Sequence, residues 1–256
     1  MKRLVLLGIC CLALGGCSLL QKINWNEQAL ASAAGKAVTA ASITDEQIIA
    51  LCKASIAQMD AEASIDRGSY ATRLNKLMKG VDKAGELNVN FAVYKTNEIN
   101  AFACGDGSIR VYSGLMDVMN DEELVAIIGH ELGHLVHQDT KNAMKKAYLA
   151  AAAVDVVAAA GNVGAIAAST LGDISQAFIN AQFSQKQEYA ADQYGFEFAI
   201  SRGQSAYSMC NALNKLVELS GSSASSSAVA KMFSSHPNSA ERAEKMKAAA
   251  DKYQKK

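Results

Sequence analysis

The sequence lacks an excess of charge of either sign, since 25 lysine and arginine residues balance 25 aspartate and glutamate residues. A strongly basic surface is the usual signature of a nucleic-acid-binding domain, so we expect no nucleic-acid partner. Half of the 256 residues are apolar and a fifth are charged, which is typical of a globular protein with a core. Length and composition therefore predict one domain of ordinary size, with or without a tail.

The sequence also lacks an uninterrupted apolar segment long enough to cross a bilayer. The best candidate, Ala147–Gly172, is rich in alanine, contains Asp155 and is broken at Gly161 and Asn162. A membrane-spanning helix needs about 20 predominantly apolar residues, and an acidic residue within it is costly. We therefore interpret this segment as a helical hairpin that lies over the active-site side of the domain.

The N-terminus has the pattern of an export signal. It begins with two basic residues, continues with an apolar run from Leu4 to Leu14, and ends in small residues before Cys17. The run is too short for a stable transmembrane helix and is typical of a cleaved signal peptide, here residues 1–16. The sequence "LGGC" that ends at Cys17 resembles the lipobox of bacterial lipoproteins, in which the cysteine is lipidated.

Lipidation at Cys17 would anchor the mature chain to a membrane, because several acyl chains together give stable attachment. Residues 17–43 are polar and rich in alanine and serine, so we interpret them as a tether, followed by a domain over residues 44–256. Ser18 rather than aspartate follows the lipidated cysteine. By the resemblance to bacterial lipoproteins, serine at this position implies attachment to the outer rather than the inner membrane, with the domain facing the periplasm.

Cysteine is scarce in the expected domain, which retains Cys52, Cys104 and Cys210. An exported protein can keep disulfides, and an odd number favours one bridge and one free thiol. We favour a bridge between Cys52 and Cys104, which would tie an N-terminal helix to a hairpin. Three buried, inert thiols are the alternative.

The domain is predicted to be α+β and mainly helical. Helical patterns begin at Thr44, which can form a capping box with Gln47, and again over Tyr70–Gly85. The only convincing β region is "VNFAVYKT", "NAFAC" and "SIRVYSG", where a Gly-Asp-Gly turn predicts a hairpin. Helices dominate from Asn120 onward, and the serine-rich segment Gly221–Ala228 is predicted to be a flexible loop.

The sequence "VAIIGHELGHLVHQD" contains three of the four histidines of the chain, and the first two of them are four residues apart. Residues four apart lie on one face of a helix, so His130 and His134 can bind one ion, while Glu131 can act as a general base on metal-bound water. Gly129 and Gly133 lie in the same apolar helix. Glycine costs a helix about 1 kcal/mol, so two of them predict the close approach of another element.

Catalytic zinc takes three protein ligands and keeps one position open. The third ligand is predicted in "QKQEYAADQYG", where Glu188 and Asp192 lie four residues apart. Glu188 would bind the ion, and Asp192 would accept the free N–H of a ligating imidazole and fix its orientation. His137 is an alternative third ligand, but on a helix it points about 60° away from the face of His134.

The motifs "HELGH", "EYAAD" and "HPNSAER", behind a "NAFA" strand, resemble those of the HtpX/CAAX-prenyl-protease-like family of zinc metallopeptidases, in particular its periplasmic lipoprotein branch. The resemblance covers residues 42–246. It implies a zincin-type domain in which His130, His134 and Glu188 bind one zinc ion and Glu131 is the base.

The same resemblance implies roles for residues outside the metal-binding helices. His236 or Arg242 is expected to stabilise the oxyanion, which is reasonable for a cationic side chain near that charge. The family often has arginine before the zinc-binding glutamate, whereas this chain offers only Lys186. The strand Asn100, Ala101, Phe102 and Ala103 resembles the substrate-binding edge of the family, where a peptide can add as a strand.

The sequence therefore predicts a membrane-anchored zinc endopeptidase acting on periplasmic or outer-membrane polypeptides, in particular misfolded ones. The alternative is a lipoprotein chaperone or assembly factor for outer-membrane proteins, working with their assembly machinery, with latent or secondary proteolysis. In either case the Gly221–Ala228 segment could let His236 move over the metal and gate the site. A structural or storage site for zinc is a third alternative.

Overall fold

The structure is a computed structural model, and it describes residues 43–153, 168–221, 226–237 and 239–255. The expected signal peptide, Cys17 and all but the last residue of the expected tether lie outside these residues, as does the expected break at Gly161 and Asn162.

The described part of the chain is mainly helical with small sheets, which confirms the predicted fold class. In chain order, its elements are α1 (Asp45–Glu62), α2 (Ser69–Leu77), β1 (Lys83–Ala84), β2 (Leu87–Asn88), β3 (Asn90–Tyr94), β4 (Ala101–Ala103), β5 (Ser108–Tyr112), α3 (Ser113–Val118), α4 (Asp121–Val136), α5 (Asp139–Ala153), α6 (Ala168–Ile179), α7 (Gln185–Ser201), α8 (Ser208–Gly221), α9 (Ser226–Ser235) and α10 (Ser239–Gln254).

The larger sheet has the order β3-β5-β4, with β3 parallel and β4 antiparallel to β5. Strands β4 and β5 form the predicted hairpin, in which Phe102 lies opposite Arg110. Gly107 in its turn has φ +92°, and a Cβ there would lie 2.0 Å from the Asn88 carbonyl oxygen. This position therefore requires glycine, and β4 is an edge strand of the sheet, as expected.

Helix α1 begins as predicted, because Thr44 and Gln47 form both hydrogen bonds of a capping box. The helix predicted over Tyr70–Gly85 was too long. Helix α2 ends at Leu77, and Gly80 follows with φ +81°, a left-handed conformation that glycine adopts at little cost. The chain then turns into β1, while Met78 remains buried in the core.

Helix α4 lies in the core and packs closely against α7. A Cβ on Gly129 would lie 3.0 Å from the Cα of Gly195, and one on Gly133 would lie 3.0 Å from the Cα of Ala191. The close approach predicted from the two glycines is thus confirmed, and the partner is α7. The backbones can approach this closely because three of the facing residues are glycine.

Helices α5 and α6 pack against each other and include the two ends of the segment expected to form a helical hairpin. No helix in the described residues has the length and apolar character needed to cross a membrane. The loop predicted over Gly221–Ala228 is shorter than expected at both ends, because α8 extends through Gly221 and α9 begins at Ser226. Residues 222–225 lie outside the described residues.

Candidate active site

Four buried side chains from three parts of the fold direct their donor atoms to one point: His130, His134, Glu188 and His236. The Nε2 atoms of His130 and His134 are 3.1 Å apart. Glu188 Oε1 lies 3.3 Å from His134 Nε2 and 3.0 Å from His236 Nδ1. The structure therefore brings together the three residues predicted as metal ligands and adds His236 as a fourth donor.

His130 and His134, the two metal-helix histidines, both lie on α4. Each of their imidazoles is oriented by a carboxylate at Nδ1, whereas Nε2 faces the other donors. His130 Nδ1 lies 2.9 Å from Asp192 Oδ1, the contact expected for Asp192. His134 Nδ1 lies 3.0 Å from Asp139 Oδ2, and Asp139 also accepts a hydrogen bond from Gln187. A carboxylate at Nδ1 favours the tautomer that leaves Nε2 free as a ligand. The structure thus adds Asp139, which the sequence analysis did not identify.

The two imidazoles differ in their proton affinity. Burial lowers the pKa of His130, since it disfavours the imidazolium. Burial also disfavours the charged form of His134, but its hydrogen bonds to Asp139 and Glu188 outweigh this and raise the pKa of His134 to about 9. Two Nε2 atoms held 3.1 Å apart cannot both carry a proton, so the site favours a cation between them.

The donor set fits a small divalent cation. Donors that bind zinc at about 2.0 to 2.2 Å in a tetrahedron are separated by about 3.4 Å, and the closest pairs here are separated by 3.0 to 3.3 Å. Around the two metal-helix histidines lie four buried carboxylates, those of Glu131, Asp139, Glu188 and Asp192. Arg242 adds one buried guanidinium, whose positive charge offsets only part of their negative charge. A buried excess of negative charge is costly unless a cation offsets it.

Glu188 is positioned by the start of its own helix. Ser184 and Gln187 form a capping box that fixes the N-terminus of α7, so Glu188 lies in the first turn, where the helix dipole stabilises a negative charge. Burial alone would raise the pKa of Glu188, but the neighbouring imidazoles lower it well below its usual range. The carboxylate therefore stays ionised and available as a ligand.

Arg242 contacts the residues of the donor cluster (His130, His134, Glu188 and His236) but is not itself one of the four donors. Its guanidinium binds both oxygens of Asp192, at 2.6 and 2.7 Å, and pairs with Glu188 Oε2. It thereby supplies from α10 a charge pairing for Glu188 that the residues just before this glutamate do not provide. Lys186, which stands near that position, is exposed. These contacts favour a positioning role for Arg242 over the expected contact with an oxyanion.

Glu131 is buried next to the donor cluster without being part of it. Within the described residues, its Oε1 atom has no hydrogen-bond partner, and His236 Nε2 lies 3.8 Å from it. A buried carboxylate oxygen without a partner is costly unless water or substrate reaches it. The position is therefore suited to a base that acts on a water molecule at the metal.

The predicted substrate strand lies beside this glutamate. Residues of β4, together with Asn100, line a cavity of about 20 Å³ shared with Glu131 and His236, which has room for about one water molecule. The other side of the cavity consists of residues between Phe178 and Phe183. An extended peptide can therefore reach β4 only if this segment moves.

Phe183 is a second residue that the sequence analysis missed. Its ring stacks on the His134 imidazole, with centroids 4.0 Å apart and planes 19° from parallel. Its backbone N–H donates to the Ser235 carbonyl oxygen at 3.2 Å. These contacts connect the segment before α7 to the end of α9, directly before His236.

Two other expectations concern residues away from the donor cluster. His137, the alternative third ligand, forms the exposed C-cap of α4 and is absent from the donor cluster found among the described residues. The disulfide predicted between Cys52 and Cys104 is not formed, and both thiols are free and buried. They belong to the same apolar cluster.

A metal-binding cluster built on H-E-x-x-H and a later glutamate, with the motif glutamate beside it, defines a metallopeptidase. The chain belongs to peptidase family M48, whose model matches residues 66–250. The resemblance to HtpX-like zinc metallopeptidases is thereby confirmed, and the protein is a metalloprotease.

Named relatives agree with this assignment. The chain is 38% identical over 226 residues to "Metalloprotease LoiP" of Escherichia coli strain K12, covering 86% of this chain and 87% of that protein. It is 35% identical over 248 residues to "Metalloprotease YcaL" of the same strain, covering 95% and 94%. It is 28% identical over 149 residues to a "Protease HtpX homolog" of Thermococcus sibiricus, covering 49% and 51%.

Proposed function

We propose that this metalloprotease is a zinc endopeptidase that hydrolyses misfolded periplasmic or outer-membrane proteins. The observation that carries the proposal is the convergence of His130, His134 and Glu188 next to the buried, unpartnered oxygen of Glu131. Such a set combines three zinc ligands with a separate base, as peptide hydrolysis requires. Its donors are imidazoles and a carboxylate, which are typical of catalytic zinc.

A zinc ion held by these ligands would act as a Lewis acid that activates a water molecule and polarises the scissile carbonyl group. Glu131 is placed to take up the proton of the attacking water and to deliver it to the leaving amine. Its burial, with 1% of the residue exposed, keeps bulk water from competing for the proton. Asp139 and Asp192 hold the two imidazoles in the orientation that binding needs.

His236 has to leave its position in the donor cluster before hydrolysis. A site with four protein donors has no open position for water, whereas a catalytic zinc site has one. His236 Nδ1 lies 3.0 Å from Glu188 Oε1, and its Nε2 lies 3.8 Å from Glu131 Oε1. A small rotation away from Glu188 would keep the imidazole beside the reacting carbonyl group, where it can stabilise the oxyanion.

The substrate binds along the edge of β4 that faces away from β5, once the segment between Phe178 and Phe183 has moved away from it. Asn100 O and Cys104 N bond to β5, so the alternation of an antiparallel strand directs the backbone groups of Ala101 and Ala103 to the opposite edge. The Ala101 N–H donates to Asn100 Oδ1 at 3.0 Å. This hydrogen bond has to break before the N–H can bond to a substrate peptide. Main-chain hydrogen bonds at this edge ignore side chains, which suits a protease for unfolded polypeptides.

Metal removal tests the enzymatic part of the proposal. We expect the purified protein to contain about one zinc ion per chain, to cleave casein, and to lose this activity in a chelator. Added zinc should restore cleavage, since the ligands come from a folded core. Metal content is measured by mass spectrometry and cleavage by the release of fluorescent peptides. A chelated, metal-free sample that still cleaves casein would rule out a metal-dependent reaction.

The lipid anchor is tested separately. We expect the full-length chain to be recovered with the outer membrane and to incorporate labelled palmitate, and the Cys17→Ala variant to lose both properties. The Cys210→Ala variant serves as a control because it changes a buried cysteine of the domain. Labelling of the Cys17→Ala chain would contradict the assignment, as would recovery of the natural chain in the soluble fraction.

A further inference from the structure

We propose that Gln187 is a positioning residue of the metal site, which joins the start of α7 to the carboxylate that orients His134. Its side-chain nitrogen donates to Asp139 Oδ1 at 2.6 Å, and the other oxygen of this carboxylate lies 3.0 Å from His134 Nδ1. Glu188, the next residue along the chain, lies 3.3 Å from the other nitrogen of the same imidazole. The inference rests on the proposed zinc site and assigns it a residue that binds no metal itself.

Gln187 and Glu188 reach opposite sides of the His134 imidazole because of where they lie on α7. Successive residues of an α-helix point about 100° apart, so the two side chains leave the helix in different directions. Glu188 is buried in the donor cluster, whereas Gln187 is partly exposed and contacts Asp139, the first residue of α5. The four residues thus form a closed ring of contacts. A shift of α7 would change the surroundings of both imidazole nitrogens together.

The amide of Gln187 has one orientation that satisfies its neighbours. Its oxygen accepts from the Ser184 N–H at 2.9 Å and from the Ser184 hydroxyl at 2.7 Å, as part of the capping box. Its nitrogen donates to Asp139. A backbone N–H can only donate and an ionised carboxylate can only accept, so exchanging the amide oxygen and nitrogen would break the contacts at both ends. One side chain therefore caps α7 and holds Asp139.

Asp139 needs this second contact in order to hold His134. A carboxylate with one hydrogen bond can rotate about its Cβ–Cγ bond, whereas contacts at both oxygens fix its plane. Asp139 is buried, so loss of the Gln187 amide would deprive a buried oxygen of its donor, which is costly. Loss of a group that orients a ligating histidine typically weakens metal binding by about 10- to 100-fold. Gln187 acts through Asp139, so we expect its effect at the lower end of this range.

Gln47 provides a matched comparison within the same chain. It holds the same position in the capping box that it forms with Thr44 at the start of α1. Helix α1 contributes no residue to the donor cluster found in the described part of the chain. Methionine has a length similar to that of glutamine but no amide, so either substitution removes the side-chain contact of a capping box. A difference in zinc binding between the two variants therefore reports the contact of Gln187 with Asp139.

Zinc affinity is the first measurement. The natural protein and its variants are stripped of metal and titrated with zinc in a competing chelator. We expect Gln187→Met to raise the Kd of zinc by about tenfold and Gln47→Met to leave it within about twofold, although both lower the Tm. The absorption bands of cobalt bound in place of zinc report ligand geometry and should shift in Gln187→Met alone. Equal zinc affinities of the two variants would overturn the inference.

A double-mutant cycle tests whether Gln187 acts through Asp139. Asp139→Ala removes the carboxylate and should raise the Kd of zinc by about 10- to 100-fold. In this background, Gln187→Met should add less than about twofold, because the contact is already lost. A further tenfold increase would show that Gln187 acts by another route and would overturn the inference. These titrations contain no substrate, so the expected affinities in a protein that cleaves no casein would support the inference and contradict the proposed function alone.

Discussion

We expect the replacement of Glu131 by glutamine to lower casein cleavage by about 10³-fold or more, while the protein keeps its fold and its capacity to bind the metal. Glutamine has nearly the shape of glutamate but cannot take up the proton. Glu131 is not one of the four donors that converge on the metal position, so its replacement leaves the ligands intact. The measurements are the initial rate of cleavage, the zinc content and the Tm of both proteins.

Glu122→Gln is the matched control. Glu122 lies on the same helix as Glu131, in its first turn, but its side chain is exposed. The same chemical change there should leave cleavage close to that of the natural protein. Full activity of Glu131→Gln would show that another group serves as the base. Loss of zinc from this variant would instead assign Glu131 to the ligand set.

The same variant separates proteolysis from a binding role. If the protein serves mainly as a chaperone or assembly factor for outer-membrane proteins, Glu131→Gln should restore a deletion strain fully, because the surface and the metal remain. If the protein acts mainly as a protease, we expect Glu131→Gln not to restore the deletion strain. The small size of the cavity at Glu131 is compatible with either role, so complementation is the measurement that distinguishes them.

The metal-binding helices could be predicted from the sequence because their information is local. His130 and His134 share a helix face through their spacing of four, and so do Glu188 and Asp192. The capping box of Thr44 and Gln47 was also predicted, and the structure shows it. In each case, neighbouring residues along the chain determine the geometry.

The rest of the site depends on contacts between distant parts of the chain. Arg242 meets Asp192 across a separation of 50 residues, and no periodicity in either segment indicates this pairing. Asp139 reaches His134 because Gln138 adopts φ 60° after the end of α4, a conformation that non-glycine residues rarely show. Phe183 stacks on His134 only once α7 has packed against α4.

That packing explains why a small change on the backbone side of the metal-binding helices, away from the donor atoms themselves, should disable the metal site. Glu188 and the two metal-helix histidines come from different helices, and only the close contact of α4 with α7 brings them together. Gly195 lies at the contact, where an added Cβ would be 2.7 Å from the Ala126 carbonyl oxygen and 2.9 Å from the His130 nitrogen. Both are backbone atoms, so they cannot move aside as a flexible side chain can.

We expect Gly195→Ala to destabilise the domain by about 2 to 3 kcal/mol, because the helices have to separate, and to weaken zinc binding by at least about tenfold. Gly221→Ala is the matched control, since a Cβ there meets nothing within 4 Å. In a helix, alanine is otherwise favoured over glycine by up to about 1 kcal/mol, so this variant should be neutral or slightly stabilised. Denaturant unfolding and zinc titration in a competing chelator measure both effects. A Gly195→Ala protein as stable as Gly221→Ala would show that the two helices do not approach this closely in solution, and the distances among the four donors would then need another origin.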